Sequence, residues 1–110
     1  MEIGRLKKEY LPMTETAFYM LLSLSETRHG YGIMQHVEEL TAGRIRLGAG
    51  TVYGTLSRME KDGLIGAVQE VERRKLYRIT PLGNELLKAE AGRIKELHEN
   101  CKRERVDLYD

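Results

Sequence analysis

The sequence predicts a mainly α-helical fold with one small β-hairpin, and three observations predict it. First, in the stretch LGAGTVYGTLSRMEKDGLI at 47–65, stepping about 100° per residue puts Leu56 and Met59 within about 40° of Val52. That is one apolar stripe on one helix. Second, Leu64 to Thr80 alternates in the β manner on either side of a charged tip, Glu72-Arg73-Arg74-Lys75. Third, Thr80-Pro81 opens a helix with a cap and a first-turn proline.

The remaining elements follow in chain order. Residues 1–9 are polar and of mixed charge, so they fray or extend the first helix as a short arm. Leu11-Pro12 breaks regularity and Thr14 caps a helix over roughly residues 14–26, apolar on nearly every side around Leu21, Leu22 and Leu24. Thr27 to Gly30 is a turn. A second helix runs to Gly43 with Ile33, Val37 and Leu40 on one face. Arg44-Ile45-Arg46-Leu47 alternates and is expected to pair as a very short strand. The striped helix then spans about residues 49–62 and stops at Gly63.

The final helix is expected to reach about residue 106, about 39 Å at 1.5 Å per residue. Helix, helix, tiny strand, helix, hairpin and long helix make a winged helix-turn-helix followed by a C-terminal helix. The expected division is 1–80 for the winged unit and 81–110 for the extension. Leu87, Ile94, Cys101 and Leu108 form one heptad row, with Glu90, Leu97 and Glu104 as a partly apolar second row. A helix this long cannot bury its stripe on one small domain, so a second copy is expected against Leu87, Ile94, Leu97 and Cys101. Glu90 and Glu104 are expected to weaken that seam.

Composition narrows the function. The chain has 110 residues, 41% apolar and 32% charged, as in a helix-rich globular protein. It has no run long enough to cross a membrane and no signal-peptide pattern, so a cytoplasmic location is expected. One cysteine excludes an internal disulfide. The net charge is +1, but residues 44–80 carry eight Lys/Arg against four Asp/Glu. A local positive patch on a near-neutral chain points to a chosen polyanion.

The striped helix lies in that patch. Its outer face holds Gly54, Ser57, Arg58 and Lys61, with Thr51 and Tyr53 at the margins. A small, hydroxylic, basic face suits a DNA major groove, although an ordinary surface helix shares the pattern. Tyr53 either packs at the core edge with its hydroxyl reaching a phosphate, or serves the core alone. Gly54 either lets the backbone approach DNA or is tolerated at an exposed site. Arg73, Arg74 and Lys75 at the hairpin tip face phosphates or a minor groove, or simply water. Arg44 and Arg46 are placed to touch phosphate, Arg78 to pair with Glu70, and the amides at Gly30 and Gly32 to hold a phosphate or form a tight turn.

No enzymatic set emerges: the chain lacks a phosphate-binding glycine loop, a paired-ligand zinc motif and a nucleophile beside a base. No cofactor is expected. His98 and Cys101 are three apart on the last helix, a weak metal signal, and Cys101 reads better as a small buried apolar residue.

The motifs HGYGIMQHVEEL, GTVYGTLSRMEKDGLI and RRKLYRITPLGNELL, at this spacing, closely resemble the PadR family of transcriptional regulators over roughly residues 10–90. The most specific part is Thr51, Tyr53, Leu56, Arg58, Met59, Glu60, Gly63 and Leu64. The resemblance implies a winged helix-turn-helix whose last helix drives a two-fold dimer, acting as a repressor on double-stranded DNA. It implies DNA contacts from Thr51, Tyr53, Gly54, Ser57, Arg58 and Lys61 on the helix and from Arg73, Arg74 and Lys75 on the wing. The single C-terminal helix looks like the short-tailed branch, some members of which bind flat aromatic or cationic compounds at the dimer interface. This chain departs from that pattern, with no aromatic on the last helix before Tyr109. Tyr10, Phe18 and Tyr19, read as part of the first helix, are the nearby alternatives. The expected reading is a homodimeric repressor on a palindromic operator, with an unidentified small-molecule effector as a further partner. The alternatives are a winged-helix protein-interaction module without DNA and a ligand- or metal-responsive sensor.

Overall fold

The structure is a computed structural model and describes residues 2–110. Helix α1, Glu2–Tyr10, is a helix of its own, not an arm of the next one. Leu6 and Tyr10, four apart, bury one face of it, and Arg5 bridges Glu2 and Glu9 on the other. Helix α2 spans Glu15–Ser23, with the Thr14 hydroxyl accepting from the Ala17 amide at 3.1 Å. It ends before residue 26 because the following backbone is used elsewhere. Leu24 O accepts from the Ile79 amide, and Arg28 exchanges both backbone hydrogen bonds with Tyr77.

That pairing answers the question of the tiny strand. The short partner of the hairpin is at Arg28, not at residues 44–47. The 44–47 segment is instead a loop that follows left-handed Ala42 and Gly43, tied by the Ile45 amide donating to Thr41 Oγ1 at 3.1 Å. Helix α3, Gly30–Leu40, buries Ile33 and Val37, while Leu40 at its end is half exposed. Helix α4, Ala49–Lys61, buries Val52, Leu56 and Met59, the expected stripe, and Gly63 at φ 78° turns the chain out of it.

Strands β1, Ile65–Val71, and β2, Arg74–Ile79, pair antiparallel with an irregularity between Ala67 and Gln69. Their loop is two residues, Glu72 and Arg73, both at positive φ. Arg74 and Lys75 therefore sit on β2, not in the turn. Arg78 lies opposite Gly66 and reaches Thr27, so it does not pair with Glu70.

Helix α5, Pro81–Glu104, is capped by Thr80 Oγ1, which accepts from the Gly83 amide at 3.1 Å. It stops two residues short of 106, and a 3-10 turn, Val106–Tyr109, folds back so that Tyr109 Oη lies 2.9 Å from His98 Nδ1. Leu86 and Leu87 enter the core formed by α1 to α4. No helix of the described residues is long and apolar enough to cross a membrane.

Candidate nucleic-acid interface

The α4 stripe fixes what its other face shows. With Val52, Leu56 and Met59 held in the core, Thr51, Tyr53, Gly54, Ser57, Arg58 and Lys61 are all exposed. A Cβ built at Gly54 meets nothing within 4 Å, so no internal packing demands glycine there. Tyr53 is 54% exposed, and its ring lies against Gly30, where a Cβ would come within 2.8 Å of the ring carbons. A side chain at Gly30 would therefore displace the Tyr53 ring from this position, and Tyr53 is a surface residue, not a core one.

Across from that ring stands the hairpin. Gly30 and Tyr53 on one side and Arg73, Arg74 and Lys75 on the other line a groove of about 240 Å³. The N-terminus of α3 opens onto the same groove, capped by His29 Nδ1, which accepts from the Gly32 amide at 3.0 Å. The fold therefore brings the wing cations and Tyr53 together, as their placement in sequence does not.

The middle of the chain carries two kinds of cation. Arg44 is bidentate on Glu15, at 3.0 and 2.8 Å, and that guanidinium holds the Glu15 carboxyl below its ordinary pKa. Arg46 lies 3.7 Å from Glu38. Neither is the free phosphate contact expected of it. Among the described residues, Arg58, Lys61, Arg73, Arg74 and Lys75 form no ion pair. Arg58 is held differently, its guanidinium carbon 4.5 Å above the centroid of the Tyr10 ring. Tyr10 and Asp62 are neighbours of the candidate site that the sequence reading missed. Nothing in the spacing signals that α1 ends beneath α4.

The other expected sites separate. Leu87 is 8% exposed and belongs to the core of the chain itself, whereas Ile94, Leu97 and Cys101 are exposed on the distal half of α5, so within the chain Cys101 is not the buried residue expected. Glu90 does not weaken a seam: it is buried at 1% exposure and turned inward. Its carboxylate accepts from the Met13 amide and from Arg93. Among the described residues no cluster of three His, Cys, Asp or Glu is placed to hold a metal ion, and His98 meets Tyr109. Tyr10 is on α1, apart from Phe18 and Tyr19 on α2.

Comparison with known proteins agrees with this architecture. The transcriptional regulator PadR-like family model matches residues 20–89, more than half of the chain. The transcriptional regulator Rv3488 of Mycobacterium tuberculosis is 38% identical over 72 residues, 63% of this chain and 64% of that protein. An uncharacterised protein X of Lysinibacillus sphaericus is 36% identical over 84 residues, 69% of this chain and 76% of that one. A 37.1 kDa protein in transposon TN4556 of Streptomyces fradiae is 38% identical over 69 residues, but the match spans only 19% of its length. Among solved structures, a PadR-like transcription factor from Bacteroides fragilis superposes with TM-score 0.69 at 25% identity, covering 91% of this chain and 94% of that one. A PadR family regulator from Clostridium difficile gives TM-score 0.68 at 25% identity, with 82% and 97% covered. With a winged helix, an exposed basic helix face and a wing beside it, the chain belongs to the PadR-like family of DNA-binding transcriptional regulators.

Proposed function

We propose that this regulator is a repressor that acts as a homodimer on a palindromic operator. In this proposal α4 enters the major groove through Thr51, Gly54, Ser57, Arg58 and Lys61. Tyr53 and the wing cations Arg73, Arg74 and Lys75 hold the backbone phosphates. One observation carries it: Arg58 and Lys61 on the exposed face of α4, and Arg73, Arg74 and Lys75 on the wing, gathered beside Tyr53, form no ion pair among the described residues.

The dimer rests on α5. Beyond Glu90 its apolar side chains Ile94 and Leu97 are 39% and 50% exposed, with Cys101 one turn further. A second copy packed there covers them and spaces two α4 helices about one DNA turn, roughly 34 Å, apart.

The test is binding of genomic DNA fragments selected by the protein. The expected outcome is a symmetric site whose affinity falls steeply with salt. Arg58→Ala with Lys61→Ala flattens the salt dependence by about two phosphate equivalents per protomer at most, about four for the dimer. Unchanged binding and slope in that variant would remove α4 from the interface and leave a protein-interaction module as the reading. Repression itself is read from a reporter placed behind the selected site.

An effector-responsive regulator is a second reading, favoured by one cavity. Met13, Phe18, Tyr19, Glu90, Arg93 and Ile94 line about 290 Å³ between α2 and α5. It lies beside the proposed dimer face, where an aromatic ligand would bias both. A thermal shift with aromatic compounds supports it, and a flat response to a broad panel counts against it.

A further inference from the structure

Arg58 is the strongest base-reading candidate on α4, and its surroundings add a residue to the reading machinery. The guanidinium carbon sits 4.5 Å above the ring of Tyr10. That ring closes the C-terminal end of α1 and is only 6% exposed. Its hydroxyl donates to Asp62 Oδ2 at 2.7 Å, and Asp62 is the residue that caps α4. The ring is therefore fixed from both sides, by the core and by the helix it serves. Burial first, and the Asp62 hydrogen bond second, push the Tyr10 hydroxyl well above its ordinary pKa, so it remains a donor.

A ring face attracts a guanidinium without consuming its N–H donors. A carboxylate would consume them, as Glu15 does for Arg44. Resting on the DNA-reading role proposed above for α4, we propose that Tyr10 is a positioning residue for Arg58. The ring, anchored through Asp62, holds the guanidinium at the margin of the outer face with its N–H fork free for a DNA acceptor. Less side-chain freedom is then lost on binding. The same contact ties the end of the reading helix to α1, an element outside the helix-turn-helix.

Two measurements test it. In the free protein, ring-current shifts on the Arg58 side-chain protons are expected in the wild type and in Tyr10→Phe, and absent in Tyr10→Leu. Unshifted Arg58 protons in the wild type overturn the proposal without reference to DNA. On selected genomic fragments, Tyr10→Leu is expected to weaken binding roughly three- to ten-fold. Tyr10→Phe, which keeps the ring, stays within about two-fold. In an Arg58→Ala background the Tyr10→Leu loss disappears. A loss of the same size in both backgrounds means that Tyr10 supports folding only, and overturns the positioning role. A loss in Arg58→Ala with none in Tyr10→Leu also overturns it while leaving the α4 reading intact. Wild-type protein that selects no fragment overturns the α4 reading and this proposal together. Base-substituted fragments and the salt slope separate a base edge from a phosphate as the acceptor. A base contact by Arg58 changes preference at one position of each half-site; a phosphate contact makes Arg58→Ala lower the slope by about one per protomer.

Discussion

The Met13 amide donates to Glu90 Oε2 at 3.0 Å, linking the α1–α2 turn to the middle of α5. The carboxylate also takes the Arg93 fork at 2.6 and 2.9 Å. Arg93 chiefly, and the Met13 amide after it, hold Glu90 below its ordinary pKa against the burial that pushes the other way. The folded value therefore lies below the unfolded one. The stabilisation is complete above the ordinary value of 4.5 and is lost as pH falls through the folded value. Glu90→Ala, which leaves the Met13 amide unpaired, should cost about 1–3 kcal/mol near neutral pH. Thermal melts of wild type and Glu90→Gln between about pH 6 and pH 3 should converge at the acid end.

Gly83 and Gly92 lie on the same helix and should respond to alanine with opposite signs. A Cβ at Gly83 runs into the Leu64 carbonyl oxygen and comes within 2.9 Å of Ile79 Cγ1. That carbonyl already accepts from the Thr80 amide at 3.0 Å, so backbone is pressed on backbone where α5 docks beside β1. Gly83→Ala should destabilise by about 2 kcal/mol or more. A Cβ at Gly92 meets nothing within 4 Å. Gly92→Ala should stabilise by about 0.5–1 kcal/mol through helix propensity alone. Denaturant midpoints at equal protein concentration check both.

These features mark how far the sequence was legible. Val52, Leu56 and Met59 form the α4 stripe because period alone decides which face of a short helix is buried. The hairpin was legible for the same reason. Pairing across long gaps was not. The alternation at Arg44–Leu47 has the right period, but Arg28 takes the Tyr77 edge that such a strand needs. Arg44 looked like a phosphate contact because its partner, Glu15, is 29 positions away. Glu90 looked like a flaw in a heptad seam, since nothing local tells which part of α5 packs on the chain's own core. Tyr10 beneath Arg58 is the same kind of omission, a contact made by the fold between segments with no shared motif.

The wing turn should separate stability from binding. Glu72 and Arg73 occupy both centre positions of a two-residue hairpin loop at φ 52° and 66°. That loop favours Asn and Gly, and other residues there cost about 1 kcal/mol each. Glu72→Asn should stabilise by about 0.5–1 kcal/mol and, by removing a negative charge beside Arg73, tighten DNA binding. Arg73→Gly should stabilise the turn as well, yet lower the salt slope by about one per protomer. Melting and salt titration of the two variants distinguish a turn effect from a charge effect.

Leu87 and Leu97 share the α5 stripe but should fail in different ways. Leu87 is 8% exposed in the protomer core, whereas Leu97 is 50% exposed. Leu87→Ala leaves a cavity inside one protomer and should cost about 2–5 kcal/mol at every protein concentration. Leu97→Glu removes nothing from that core. It places a charge on the face proposed to meet its counterpart, where a desolvated carboxylate has no partner. Sedimentation should therefore find Leu97→Glu monomeric at micromolar concentration, with the helical signal of the wild type. Its operator affinity should fall toward that of a single half-site, because two linked contacts become one. A Leu97→Glu protein that sediments and binds like the wild type would place the dimer contact elsewhere than the distal half of α5.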